Sequence, residues 1–149
     1  MKKEDCIFCQ ISSNSIPSFK IWEDEEFLAI LDIFPNTKGM TLVLPKDHYD
    51  SYLFEMPADV YNRFLKAARS VGIKLDEKLG SQRTALVAEG MGVNHAHIKL
   101  YPLHGLDRDF KAIIPEGEHF YEKYQGYLTT LLGPRASNDD LKKLQDMFL

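Results

Sequence analysis

The sequence predicts an α+β domain: an antiparallel sheet of about five strands, with one long helix and C-terminal helices packed on it. Three observations carry this. Short apolar runs are bounded by Gly, Pro and Asn, as strands in a meander are. One central stretch repeats its apolar residues at spacings of three and four. The order along the chain is strands, helix, strands, helices. The length of 149 residues fits a single domain over 1–149.

The stretch to Pro17 is turn-rich, with Ser12, Ser13, Asn14 and Ser15. Three strands are expected next, over Phe19 to Trp22, Phe27 to Ile33 and Met40 to Leu44. Residues 57–79 carry Val60, Phe64, Ala67, Ala68, Val71, Leu75 and Leu79 on one helical stripe. Pro57 suits the first helical position and Gly80 the C-terminal cap. Thr84 to Glu89 and His95 to Tyr101 read as the fourth and fifth strands, joined across the turn Gly90-Met91-Gly92. Phe120, Tyr124, Tyr127, Leu128, Leu131 and Leu132 predict a helix over 118–132, ended by Gly133-Pro134. Ser137 with Asp140 three residues on reads as a capping box for a last helix through Leu141, Leu144 and Phe148.

Hydrophobic content of 44% and charged content of 27% are those of a globular protein. The net charge of -4 argues against non-specific nucleic-acid or anionic-membrane binding. No apolar run approaches the roughly 20 residues of a membrane span. The charged start Met1-Lys2-Lys3-Glu4-Asp5 has no apolar stretch behind it, so a cytoplasmic protein is expected. Cys6 and Cys9 are too close together to staple a fold and suggest metal or redox chemistry.

Residues 95–101 concentrate the chemistry. With period two, Ala96, Ile98 and Leu100 point one way and His95, His97, Lys99 and Tyr101 the other. The second row is mostly basic and suits a phosphate. A neutral imidazole whose second nitrogen donates to a carbonyl keeps a lone pair for attack on phosphorus. On pattern alone, a solvated strand face with incidental histidines remains equally open.

Gly92-Val93-Asn94-His95-Ala96-His97-Ile98-Lys99-Leu100-Tyr101-Pro102 resembles the signature strand of the histidine triad (HIT) superfamily, His-φ-His-φ-His-φ-φ. Other blocks are similar to the family's as well. They are Cys6-Ile7-Phe8-Cys9-Gln10-Ile11, Ile16-Pro17-Ser18, Trp22-Glu23-Asp24, Leu31-Asp32-Ile33 and the run from Gly39 to His48. The resemblance covers about 6–102 and leaves 103–149 as a C-terminal extension.

The resemblance implies a nucleotide-binding hydrolase acting on phosphoramidates or dinucleoside polyphosphates. His97 would be the nucleophile and would form a nucleotidyl-histidine intermediate. It implies that Asp32 binds the ribose hydroxyls of a purine nucleotide or nucleotide conjugate, and that Cys6, Cys9, His48 and His95 hold structural zinc. Two-fold homodimers are common among such relatives, and the 57–79 helix would suit that contact.

Two departures stand out. Lys99 replaces the third histidine; it keeps positive charge beside the phosphate but is a poor proton donor at neutral pH. The loop Glu89-Gly90-Met91-Gly92 is short and lacks the family's Gln and Ser, leaving Gly90 and Gly92 to offer backbone N–H groups. A nucleotidylyltransferase, or a nucleotide-binding module with little turnover, therefore stands as an alternative. His104 reads as a loop residue or a substitute proton donor, and His119 as a surface residue.

Overall fold

The computed structural model describes residues 3–113, 122–124 and 134–149. The helix expected over 118–132 falls largely outside the described residues, as does His119. Five strands form one sheet: β1 (Lys20–Glu23), β2 (Phe27–Leu31), β3 (Thr41–Pro45), β4 (Thr84–Val87) and β5 (Ile98–Pro102). The order across the sheet is β1-β2-β3-β5-β4, and every neighbouring pair is antiparallel. β5 is thus inserted between β3 and β4, with Val43 opposite Ile98 and Val87 opposite Lys99.

β2 and β3 are short and lack polar alternation because both sheet faces are covered there. On one face lies α2 (Ala58–Leu79), which buries Val60, Phe64, Ala67, Ala68, Val71 and Leu75. These pack with Phe27, Ala29, Leu31, Val43, Ile98 and Leu100. The rings of Phe27 and Phe64 stack at 5.3 Å. Pro57 sits at the N-cap rather than inside the first turn, and Gly80 closes the helix with φ 67° and an N–H to the Asp76 carbonyl. α3 (Asn138–Asp146) adds Leu141 and Leu144 to the same layer, and Phe148 just beyond it joins them. Ser137 caps it, its hydroxyl accepting from the Asp140 N–H at 3.1 Å.

On the other face lies a short helix, α1 (Ile7–Ser12), within the stretch that the sequence presented as turns. Six residues carry too little periodicity to be read, and so short a helix is held by packing rather than propensity. Its Phe8 and Ile11 meet Leu28, Ile30, Leu42 and Leu44. β5 starts at Ile98, three residues later than expected, and β4 stops at Val87. The period-two alternation nevertheless continues upstream: Ala96 joins the α2 layer, while the His95 and His97 rings lie edge-on to Phe8 at 5.7 and 5.6 Å. Among the described residues, no helix is long and apolar enough to cross a membrane.

Phe64 is fully buried at the centre of the α2 layer. Phe64→Ala is expected to lower unfolding free energy by about 3–5 kcal/mol through lost burial and a cavity, measured by urea denaturation.

Candidate active site and metal centre

The N-cap and first turns of α1, the segment after β3 and the lead-in to β5 bring four side chains together. The ligand atoms of Cys6, Cys9, His48 and His95 all lie within 4.8 Å of one another. Cys6 Sγ is 3.4 Å from His95 Nδ1, Cys9 Sγ is 3.4 Å from His48 Nδ1, and Cys9 Sγ is 3.6 Å from His95 Nδ1. With usual zinc bond lengths, the sulfur–nitrogen edge of a tetrahedron is about 3.5 Å. The donor set and its spacing therefore fit a four-coordinate ion.

The outer contacts orient these four side chains. His95 is wholly buried, and its Nε2–H donates to the Pro45 carbonyl at 2.9 Å, which turns the Nδ1 lone pair towards the sulfurs. Burial lowers its pKa to about 4, so the ring is neutral as a ligand must be. His48 Nε2 lies 3.3 Å from Asp50 Oδ1, and the Lys3 backbone N–H donates to Cys9 Sγ at 3.3 Å. Hydrogen bonds first from Lys3 and then from His48 hold the Asp50 carboxyl below its usual range.

Two residues on, the His97 Nδ1–H donates to the His95 carbonyl at 2.7 Å. This fixes the tautomer and leaves Nε2 with its lone pair. The residue is only 3% exposed. Burial lowers its pKa; the carbonyl bond opposes that, nearby Lys99 lowers it further and nearby Glu89 raises it. His97 thus presents a neutral, oriented imidazole.

His97 lines a cavity of about 530 Å³ together with Lys99, Gly92, Asp32 and apolar side chains including Ile16, Phe19 and Phe34. Asp32 follows β2, and its Oδ1 accepts from the Phe34 N–H at 2.8 Å, so it shapes the strand-end turn while facing the cavity. Gly90 is not among the lining residues. It has φ 71°, and a Cβ there would stand 2.8 Å from the Ser51 carbonyl oxygen. The loop is closed further by Asn94, whose Oδ1 accepts from the Ser51 N–H at 2.9 Å. Gly92, with φ 92°, reaches the cavity.

Lys99 is not a bare cation. Its Nζ donates to Glu89 Oε1 at 2.7 Å, and both side chains are largely shielded, 13% and 6% exposed. The Tyr124 hydroxyl donates to the other Glu89 oxygen. Burial raises the Glu89 pKa, but the bonds from Lys99 and Tyr124 outweigh it and keep the carboxyl below its ordinary value. Glu89 was read as the end of a strand and the start of the short loop, not as a partner of Lys99; a partner ten residues away on a neighbouring strand leaves no local signal. Arg135 and Asn138, from the C-terminal segment, also line the cavity. The backbone brings them there, since the Ala136 N–H donates to the Ile33 carbonyl at 2.9 Å. His104 is drawn away: its Nε2–H donates to the Lys38 carbonyl at 2.9 Å, and it is not among the lining residues.

A family profile described as the HIT domain matches residues 13–105. The chain belongs to the HIT family. An uncharacterised HIT-like protein of Methanocaldococcus jannaschii is 40% identical over 102 residues, 65% of this chain and 78% of that protein. The adenylylsulfatase HINT3 of Arabidopsis thaliana is 31% identical over 105 residues, 67% of this chain and 53% of that protein. The HIT fold itself is matched by a hypothetical histidine triad nucleotide-binding protein of Sulfolobus tokodaii, with a TM-score of 0.72, 24% identity, and 96% and 89% of the two chains covered. A zinc-bound histidine triad family protein of Mycobacterium smegmatis matches with a TM-score of 0.66, 23% identity, and 97% and 93% covered.

Cobalt(II) added to this HIT protein is expected to give the intense visible bands of a tetrahedral thiolate site. Cys9→Ser should weaken them and lower cobalt affinity at least about tenfold. Unchanged spectra would show that the cysteines are not ligands.

Proposed function

We propose that this HIT protein is a nucleotide hydrolase in which His97 Nε2 attacks the α-phosphorus of a nucleotide conjugate. The observation that carries this reading is the Nδ1–H bond from His97 to the His95 carbonyl, with the ring set in the wall of the cavity. The Nε2–P bond forms as the bond to the leaving group breaks, giving a nucleotidyl-histidine. The carbonyl shares the positive charge that develops on the ring. Water then attacks phosphorus, the N–P electrons return to Nε2, and a nucleoside monophosphate is released with a proton.

The apolar part of the cavity suits a purine base, and the Asp32 carboxylate suits two adjacent ribose hydroxyls. Gly92 and Lys99 lie on the phosphate side of this arrangement, beside His97. The name of the Arabidopsis relative supports hydrolysis of a nucleotide conjugate. Cys6, Cys9, His48 and His95 would hold zinc, and with four protein ligands the ion would be closed to substrate and structural. It would tie α1 and the end of β3 to the segment that carries His97.

The test is release of AMP from a diadenosine polyphosphate and from adenosine 5′-phosphoramidate, followed by chromatography. His97→Ala should reduce it at least about a thousandfold. If wild type and variant are equally silent while AMP still binds, the protein is a binding module instead. In the same assay Asp32→Asn keeps an acceptor for the Phe34 N–H. It should raise KM about tenfold to a hundredfold, as loss of a charge-assisted hydrogen bond to ribose implies. An unaltered KM would remove Asp32 from the nucleotide site.

A further inference from the structure

The pairing of Lys99 bears on which bonds the site can break, an inference that rests on the hydrolase reading above. Lys99 stands on β5 next to His97 along the cavity wall, yet one of its protons is committed to Glu89 at 2.7 Å. Glu89 is itself enclosed, with its second oxygen taken by the Tyr124 hydroxyl. An alkylammonium is a poor acid at neutral pH in general, and the contact with Glu89 fixes this one as a charge on the cavity wall. The other side chain beside it, His97, has its one N–H on the His95 carbonyl.

We propose that the Lys99–Glu89 pair makes this site selective for nucleotide conjugates whose leaving group departs as a stable anion. These are mixed anhydrides of the nucleotide with a sulfate, phosphate or carboxylate. Phosphorus–nitrogen conjugates of amines are poor substrates. For an anhydride, the His97 Nε2 lone pair forms the bond to phosphorus, the P–O bond breaks, and its electron pair leaves on the acid anion; no proton is needed in this step. An amine must gain a proton as it leaves, and a positioned acid ordinarily accelerates such a step about 10²–10⁴-fold. Lys99 holds the phosphoryl oxygens, while Glu89 is a positioning residue that fixes the Lys99 ammonium through the 2.7 Å contact.

The wild-type protein alone gives the first test. Its kcat/KM is measured for adenosine 5′-phosphosulfate and diadenosine tetraphosphate, and for adenosine 5′-phosphoramidate and an N-alkyl phosphoramidate of AMP. The ratio of anhydride to phosphoramidate is expected to be about a hundredfold or more. Lys99→His places a group with a pKa near 6.5 at the same position and should cut that ratio at least about tenfold. A series of adenosine 5′-aryl phosphates, with phenols of graded acidity, separates chemistry from folding. The rate should fall steeply as the phenol becomes less acidic in wild type, and less steeply in Lys99→His and Glu89→Gln. Glu89→Asp should restore the steep dependence. Equal handling of both classes by wild type, or a ratio and slope unchanged in Lys99→His, would overturn the proposal with hydrolysis intact. If wild type shows no His97-dependent turnover of any of these substrates, the hydrolase reading itself fails and takes this inference with it.

Discussion

His95 is the residue on which the arrangement depends. It uses its ring twice and its backbone once. Nδ1 faces Cys6 and Cys9, Nε2–H holds the Pro45 carbonyl at the end of β3, and its own carbonyl receives the His97 Nδ1–H. Complete burial makes each of these bonds obligatory, because a polar group removed from water without a partner costs about 1–3 kcal/mol. The Cys and His cluster, the contact with the end of β3 and the tautomer of the candidate nucleophile are consequently one constraint rather than three.

The sheet supplies the rigidity around that constraint. Covering both faces, α2 on one side and α1 on the other, buries every residue of β2 and β3. The cavity opens where the second cover ends, between α1, the end of β2 and the segment entering α3. Its two kinds of wall follow from this. Apolar side chains come from the edge of the second core layer, and polar groups come from the end of β2, from β5 and the loop before it, and from the segment entering α3.

Much of this was legible in the sequence, and the failures have physical causes. The α2 stripe, its Gly80 cap and the Ser137 cap of α3 rest on local periodicity and local hydrogen bonds, and they are found with those features. The five strands were recognisable from their breakers, though their ends shifted where pairing partners run out. α1 was invisible because tertiary contacts sustain it, and without it a solvated His95–His97 face stayed open, whereas the face is buried against Phe8. The Cys6, Cys9, His48 and His95 set came from resemblance, since residues so distant in sequence share no spacing rule. Glu89, Arg135 and Asn138 could not be read at all: each depends on a strand register or a backbone contact that only folding sets.

The group that orients His97 is a peptide carbonyl and not a side chain. Every amino acid at position 95 would carry the same oxygen. Mutation therefore cannot delete the acceptor, as it can delete an orienting aspartate; it can only displace it. The orientation of His97 is insulated from the chemical identity of its neighbour and vulnerable instead to shifts of the main chain around residues 93–97. Within the HIT framework, the side chain at position 99 can change without touching that acceptor, whereas the setting of the His97 ring moves only with the backbone.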